Sequence, residues 1–217
     1  MVINKNKKLA IFDVEGVLID AEYLPLLAKT VGKEREVWEI TKMGLEGKVS
    51  WEEGLIKRID ILQKENITFQ TAISVANSLP YTSGIKEVFK FLQENNFLIS
   101  AISGGFSLFV NRLKEDFNID YAFSNELIFE NGFLRGVKIK VGNDKSAPLK
   151  NIIEKEKISK NNILCVVDGA NDLKIFDISG FKIAFCANDI VKQKADAIVD
   201  KKDLREIIPL INKNFSF

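Results

Sequence analysis

Short apolar runs alternate with longer amphipathic segments through most of this chain, and that alternation leaves few folds open. A strand buried on both faces of a sheet is apolar almost without a break, whereas a helix covering it shows apolar residues at three- and four-residue spacing. The runs at 9–13, 98–103, 163–168, 182–185 and 197–199 are rich in Ile, Val, Leu and Phe and have strand length. Helical patterns lie between them. In 84–95, Ile85, Val88, Phe89 and Leu92 share one face, and Thr82 or Ser83 is placed to cap the start. The pattern predicts an α/β protein, a Rossmann-like parallel sheet flanked by helices.

Two stretches depart from that rhythm. Residues 22–79 follow the first strand without a new strand pattern and read as helix interrupted at Gly32, Gly44 and Gly47, which predicts a helical cap. Residues 126–141 alternate apolar with polar around Asn131-Gly132, the form of a small β-hairpin hanging from the core. The expected division is an α/β core of residues 1–17 and 80–217 with a cap of 18–79, and 217 residues suffice for both.

The chain has no histidine, which removes Ser-His and Cys-His catalysis and nearly all catalytic zinc sites. Chemistry is left to carboxylates, lysine, hydroxyls and backbone. With 31 basic and 30 acidic residues the net charge is +1, so no global field draws the protein to nucleic acid or to an anionic membrane. The lysine groups at 5–8 and 150–160 read as solvated surface. Cys165 and Cys186 sit in apolar runs as buried strand residues of a reducing compartment. Met1 to Lys5 lacks signal-peptide character and no apolar run has membrane-spanning length, so the expected location is cytoplasmic. Monomer and homodimer both remain open.

Four short motifs carry candidate chemistry. In Ile11-Phe12-Asp13-Val14-Glu15-Gly16, a buried strand ends in two carboxylates on one side. Ligands of open α/β sheets bind at the carboxyl ends of strands, and an Asp there can attack phosphorus while a second acid moves protons. A turn acid at a strand end is the plainer alternative. In Ile102-Ser103-Gly104-Gly105, a hydroxyl and two glycines precede a helix starting near Ser107; such a turn suits a phosphate, though turn geometry alone also selects small residues. In Val167-Asp168-Gly169-Ala170-Asn171-Asp172, Asp168 could join Asp13 in holding magnesium, which prefers hard oxygen ligands, with Asn171 and Asp172 around it. Asp168 or Asn171 could equally cap the helix through Ile175 and Phe176. Lys145, before a helical run, is either a solvent-facing lysine or a phosphate clamp over Asp13.

Taken in order, Asp13-Val-Glu15-Gly-Val17, Ser103 in Ile-Ser-Gly-Gly-Phe, Lys145, and Asp168-Gly-Ala-Asn171-Asp172 resemble the four motifs of haloacid dehalogenase superfamily phosphatases. Within that superfamily the chain is most similar to the phosphoserine phosphatases, from the first strand to Ala195 or beyond. The resemblance implies Asp13 as nucleophile, Glu15 as general acid and base, and Ser103, Gly104 and Lys145 as phosphate ligands. It also implies magnesium held by Asp13, the carbonyl of Glu15 and Asp168, supported by Asn171 and Asp172. Glu22 and Arg58 match the positions that bind the amino and carboxyl groups of phosphoserine, and Leu45 and Trp51 match apolar residues that shield the pocket. The implied partner is a small phosphorylated metabolite.

The chain departs from the family pattern at Glu15, where most members have Asp. Glu adds about 1.5 Å of reach, and a misplacement of about 1 Å can cost on the order of a hundredfold in rate. In the enolase-phosphatase branch, where the motif looks similar, Glu is tolerated at this position, so the replacement need not abolish activity. Phosphoserine is the expected substrate, with a sugar phosphate, phosphoglycolate or an enol phosphate as alternatives, and a non-catalytic binder of a phosphorylated metabolite as another. Val167 stands where a glycine usually precedes the metal-binding Asp, and is expected to pack behind Asp168.

Overall fold

The computed structural model describes residues 7–215. The stretch Met1 to Lys5, and Lys5 of the first lysine group, lie outside the described residues. The strands are β1 (Lys8–Asp13), β2 (Phe97–Phe106), β3 (Tyr121–Glu130), β4 (Phe133–Lys138), β5 (Ile163–Val167), β6 (Phe181–Phe185) and β7 (Ala197–Val199). They form one sheet in the order β4-β3-β2-β1-β5-β6-β7. Every neighbouring pair is parallel except β3 and β4.

β1 lies between β2 and β5, with Asp13 opposite Ile102 and Phe12 opposite Val166. The strand order reverses there, so the carboxyl ends of these three strands open onto one crevice. Alternation along β1 sends Ala10 and Phe12 into one apolar cluster and Leu9 and Ile11 into the other, one on each face of the sheet. Phe12 packs on Phe89 at 5.3 Å between ring centroids, and Phe89 packs edge-on against Phe117 at 5.7 Å.

Four helices fall between β1 and the helix that leads into β2: α1 (Tyr23–Lys29), α2 (Glu34–Leu45), α3 (Trp51–Lys64) and α4 (Phe69–Ser78). Ser50 caps α3 by accepting from the Glu53 N–H at 3.3 Å, and Thr68 caps α4 by accepting from the Thr71 N–H at 3.1 Å. The remaining helices are α5 (Ile85–Glu94), α6 (Ser107–Phe117), α7 (Ala147–Glu156), α8 (Leu173–Ile178), α9 (Asp189–Lys192) and α10 (Ile207–Asn214).

The structure corrects two local expectations, the α5 cap and the burial of Cys186. Neither Thr82 nor Ser83 caps α5; Gly84 does, at φ +82, without a side-chain bond. A Cβ at Gly84 would meet Asp203 and Arg205, whose ion pair is packed against the helix start. The expected hairpin is present and extends from the core sheet. β3 first pairs parallel to β2, Tyr121 opposite Ser100, and then runs on to pair antiparallel with β4. There it meets the helical segment, with the Phe69 N–H donating to the Gly132 carbonyl and the Leu134 N–H to the Ile67 carbonyl. Cys165 is buried in β5, but Cys186 lies just beyond β6 at φ +47 and is only half-buried.

Removing the ring that backs the central strand should be costly. Phe89→Ala is expected to lower unfolding free energy by about 3–5 kcal/mol, read by urea denaturation, and a loss well under that would mean the ring does not support β1.

Candidate active site

Each strand end at the crevice supplies one part. β1 runs straight into Asp13, and the chain then turns at Gly16, whose φ is +80. A Cβ at Gly16 would lie 2.0 Å from Asp168 Oδ2, so glycine is needed both for the backbone conformation and for the approach of Asp168. Lys202, from the loop after β7, donates to the Gly16 carbonyl at 2.6 Å and holds this turn. Val167 is fully buried among the apolar residues behind Asp168.

Lys145 is carried over Asp13. Its Nζ lies 2.8 Å from Asp13 Oδ1 and 2.5 Å from Asp172 Oδ1, with all three side chains buried. Those two carboxylates hold the ammonium charged against burial and push its pKa up. The solvent-facing alternative for Lys145 therefore fails. The capping alternative for the acids fails too: the turn Ala170–Asp172 and α8 receive no side-chain cap from Asp168 or Asn171.

One oxygen from each of Asp13, Asp168 and Asp172 lies within 4.8 Å of the others. Asp168 Oδ1, Asp172 Oδ2 and Asn171 Oδ1 are buried with no hydrogen-bond partner. Buried acceptors left unpaired cost about 1–3 kcal/mol each, and a hard divalent cation is what this all-oxygen donor set fits. Burial, with Asp13 and Asp172 adding like charge, pushes the Asp168 carboxyl well above its ordinary range. Burial, with Asp13, pushes Asp172 up to about 7.

At the end of β2, Ser103 is buried and its Oγ accepts from the Gly105 N–H at 2.8 Å, which leaves the hydroxyl proton free to donate. Gly104 is buried beside it. Glu15 Oε1 accepts from the Tyr23 N–H at 2.7 Å, and Oε2 lies against Gly105, 2.1 Å from where a Cβ there would sit. Burial, with the charge of Asp13, pushes the Glu15 carboxyl up to about 7 against the opposing backbone bond from Tyr23 and the charges of Arg58 and Lys145.

The helical segment brings the other predicted residues to the same place. Glu22 stands immediately before α1, half-buried, and burial with the charges of Glu15 and Asp168 raises its carboxyl well above the ordinary range. Arg58 on α3 is buried, donating to the Gly54 carbonyl at 3.1 Å and to Thr41 Oγ1 at 3.0 Å, within electrostatic reach of Glu15 and Glu22. Burial lowers its pKa and those two carboxyls oppose the shift. Trp51 lies under the Arg58 guanidinium at 4.6 Å from the ring centroid. Leu45 reaches Gly169, 3.2 Å from where a Cβ there would sit.

Sequence reasoning missed the residues that fix these parts. Asn125, fully buried in β3, donates to the Gly104 carbonyl and accepts from the Lys140 and Val141 N–H groups, each at 2.8 Å. It ties the Ser103-Gly104 turn to the segment that delivers Lys145. Thr41 orients Arg58, and Asn188 donates to the Leu45 carbonyl at 2.7 Å. A lone amide inside the strand pattern of β3 was the available signal for Asn125.

A family model for haloacid dehalogenase-like hydrolases matches residues 7–176. The chain belongs to that family. Phosphoserine phosphatase of Methanocaldococcus jannaschii is 37% identical over 212 residues, covering 96% of this chain and 100% of that one. Phosphoserine phosphatase of Campylobacter jejuni subsp. doylei is 34% identical over 207 residues, covering 94% and 99%. A solved phospho-aspartyl intermediate analogue of phosphoserine phosphatase superposes with a TM-score of 0.91 at 38% identity, over 95% of this chain and 99% of that one. A substrate-bound phosphoserine phosphatase complex gives the same TM-score at 37% identity and the same coverage.

Gly16→Ala should displace Asp168, since a methyl group cannot occupy the space of its carboxylate. The expected result is a folded protein by circular dichroism whose divalent-cation affinity, measured by calorimetry, falls at least about tenfold. Unchanged affinity would show that Asp168 does not need this approach.

Proposed function

We propose that this protein is a phosphoserine phosphatase, a phosphoric monoester hydrolase that works through an aspartyl-phosphate on Asp13. The observation that carries the substrate is that Glu22 and Arg58 lie within electrostatic reach of each other and of Glu15, with the buried Asp13–Lys145 pair in the same site. An acid and a guanidinium match the ammonium and carboxylate of a zwitterionic head group, and the relatives act on phosphoserine by name.

In the first step Asp13 attacks phosphorus while Glu15 gives its proton to the departing serine oxygen. In the second, Glu15 takes a proton from water, which cleaves the acyl phosphate and releases phosphate. A carboxyl poised near 7 serves both directions at neutral pH. Lys145, fixed on Asp13 Oδ1, orients the nucleophile and opposes charge that builds on the phosphoryl oxygens, with the Ser103 hydroxyl and the Gly104 backbone as further donors. Asp13, the Glu15 carbonyl and Asp168 would hold Mg2+, with Asn171 and Asp172 in support, and the ion when bound supplies positive charge against the phosphate. Residues 18–79 act as a cap over a core of 1–17 and 80–217, with Leu45 and Trp51 excluding water. Among the described residues no helix is long and apolar enough to cross a membrane, and free cysteines are compatible with the cytoplasm.

Phosphate release from a panel of phosphomonoesters, with magnesium and with EDTA, tests this directly. Phosphoserine should be the best substrate, Asp13→Asn should lower kcat by about a thousandfold or more, and EDTA should abolish release. Arg58→Ala should raise KM for phosphoserine on the order of a hundredfold while barely changing hydrolysis of p-nitrophenyl phosphate. If phosphoserine is no better than unrelated esters and Arg58→Ala is silent, the substrate assignment is wrong.

The same acids predict a pH effect on stability. Glu15, Asp168 and Asp172 bind protons more tightly folded than unfolded, where their pKa values are about 4. Folding is therefore disfavoured progressively as pH rises from about 4 through about 7. Without divalent cations, Tm should fall between about pH 5 and about pH 8, and magnesium should restore most of the loss at the upper end. A magnesium-independent Tm across that range would refute a cation site there.

A further inference from the structure

Trp51 shields the pocket with its ring, but shielding makes no use of its indole N–H. Trp51 is 9% exposed, and its Nε1 is buried with no hydrogen-bond partner. Buried donors are paired in the great majority of cases, and an orphan inside a binding site calls for a ligand acceptor.

The position of the N–H is well defined. Cε3 and Cζ3 of the ring lie against Gly44, 3.0 and 3.2 Å from where a Cβ there would sit. The opposite edge carries Nε1 onto the Gly104 backbone, 2.1 Å from where that residue's Cβ would sit. Arg58 lies over the ring at 4.6 Å from its centroid, and Lys145 Nζ is at 5.9 Å. The orphan acceptors of the site, Asp168 Oδ1 and Asp172 Oδ2, suit a cation. The orphan donor beside Ser103-Gly104 suits an anion.

We propose that the Trp51 indole N–H donates a hydrogen bond to an oxygen of the transferring phosphoryl group, beside the Ser103 hydroxyl and the Gly104 backbone. This rests on the phosphatase reading, but orthophosphate is the product of any phosphomonoesterase, so it does not depend on serine. The substrate carboxylate is the other anionic group, and it belongs at Arg58. Arg58 stands over the ring, whereas the N–H lies in the plane of the ring, at the edge beside Gly104. A phenylalanine here would shield equally well and donate nothing.

The chain has two tryptophans, so a 15N-labelled sample gives two indole N–H signals, and a Trp38→Phe sample assigns them. With magnesium present, orthophosphate should move the Trp51 signal downfield and L-serine should leave it in place. Trp51→Phe should raise the inhibition constant of orthophosphate about tenfold and leave that of L-serine unchanged. A Trp51 signal that stays put while calorimetry shows phosphate bound, or one that answers to L-serine alone, overturns the proposal. Equal weakening of both inhibitors by Trp51→Phe does so as well. Should that variant fail to fold, the titration on the unmodified protein decides alone. No binding of orthophosphate at all would remove the phosphatase reading and this donor with it.

Discussion

Lys145 between Asp13 and Asp172 is the contact on which the rest of the site depends. An ammonium taken fully out of water is unfavourable unless carboxylates surround it closely, and removing either partner of such a group commonly costs about 3–5 kcal/mol. The three residues come from β1, the loop before α7 and the turn before α8, so their ion cluster ties distant parts of the chain at the strand ends. It also leaves a surplus. The carboxyls of Asp13, Glu15, Glu22, Asp168 and Asp172 outnumber the nearby cations Lys145, Arg58 and Lys202, and burial together with this excess of like charge raises the pKa values of Glu15, Glu22, Asp168 and Asp172. A divalent cation is the kind of charge that would offset this surplus.

The glycines of the site follow from the same crowding. Gly16 makes room for Asp168, Gly104 for the Trp51 edge and Gly105 for Glu15. At each, a methyl group would sit 2.0 or 2.1 Å from the neighbouring oxygen or nitrogen, well inside any allowed contact. Small residues at the strand ends are thus not merely turn formers. They are where side chains from other elements reach the reacting centre.

The sequence made the sheet legible because buried parallel strands need unbroken apolar runs, and Leu9 to Phe12 or Ile163 to Val167 have no other use. The motif residues were legible because acids at strand ends are poor choices for burial, and a hydroxyl with two glycines ahead of a helix suits an anion. What stayed hidden is held by tertiary contact. Asn125 looks like any polar residue in a half-exposed strand until its amide is seen bridging Gly104 to Val141. The α5 cap was misread because Asp203 and Arg205, far along the chain, occupy the space where a local side chain would have turned in. The hairpin was legible from its alternation about Asn131-Gly132, but periodicity does not report that its tip would meet the segment before α4.

The longer acid at position 15 is accommodated rather than merely tolerated. Its extra methylene carries the carboxyl past Asp13 to the start of α1, where the Tyr23 N–H takes Oε1, and Gly105 leaves space for Oε2. Tyr23 is itself fixed, fully buried, with its hydroxyl donating to the Ala72 carbonyl at 3.0 Å and its ring against Phe106 and Phe109. The backbone donor therefore sits on a rigid base and tethers one oxygen while the other faces the Ser103-Gly105 turn. Flexibility is the usual penalty of exchanging Asp for Glu, because an added rotatable bond spreads the carboxyl over several positions. Here the N–H at Tyr23 removes that freedom, so the chain keeps an acid of defined position with a different side chain.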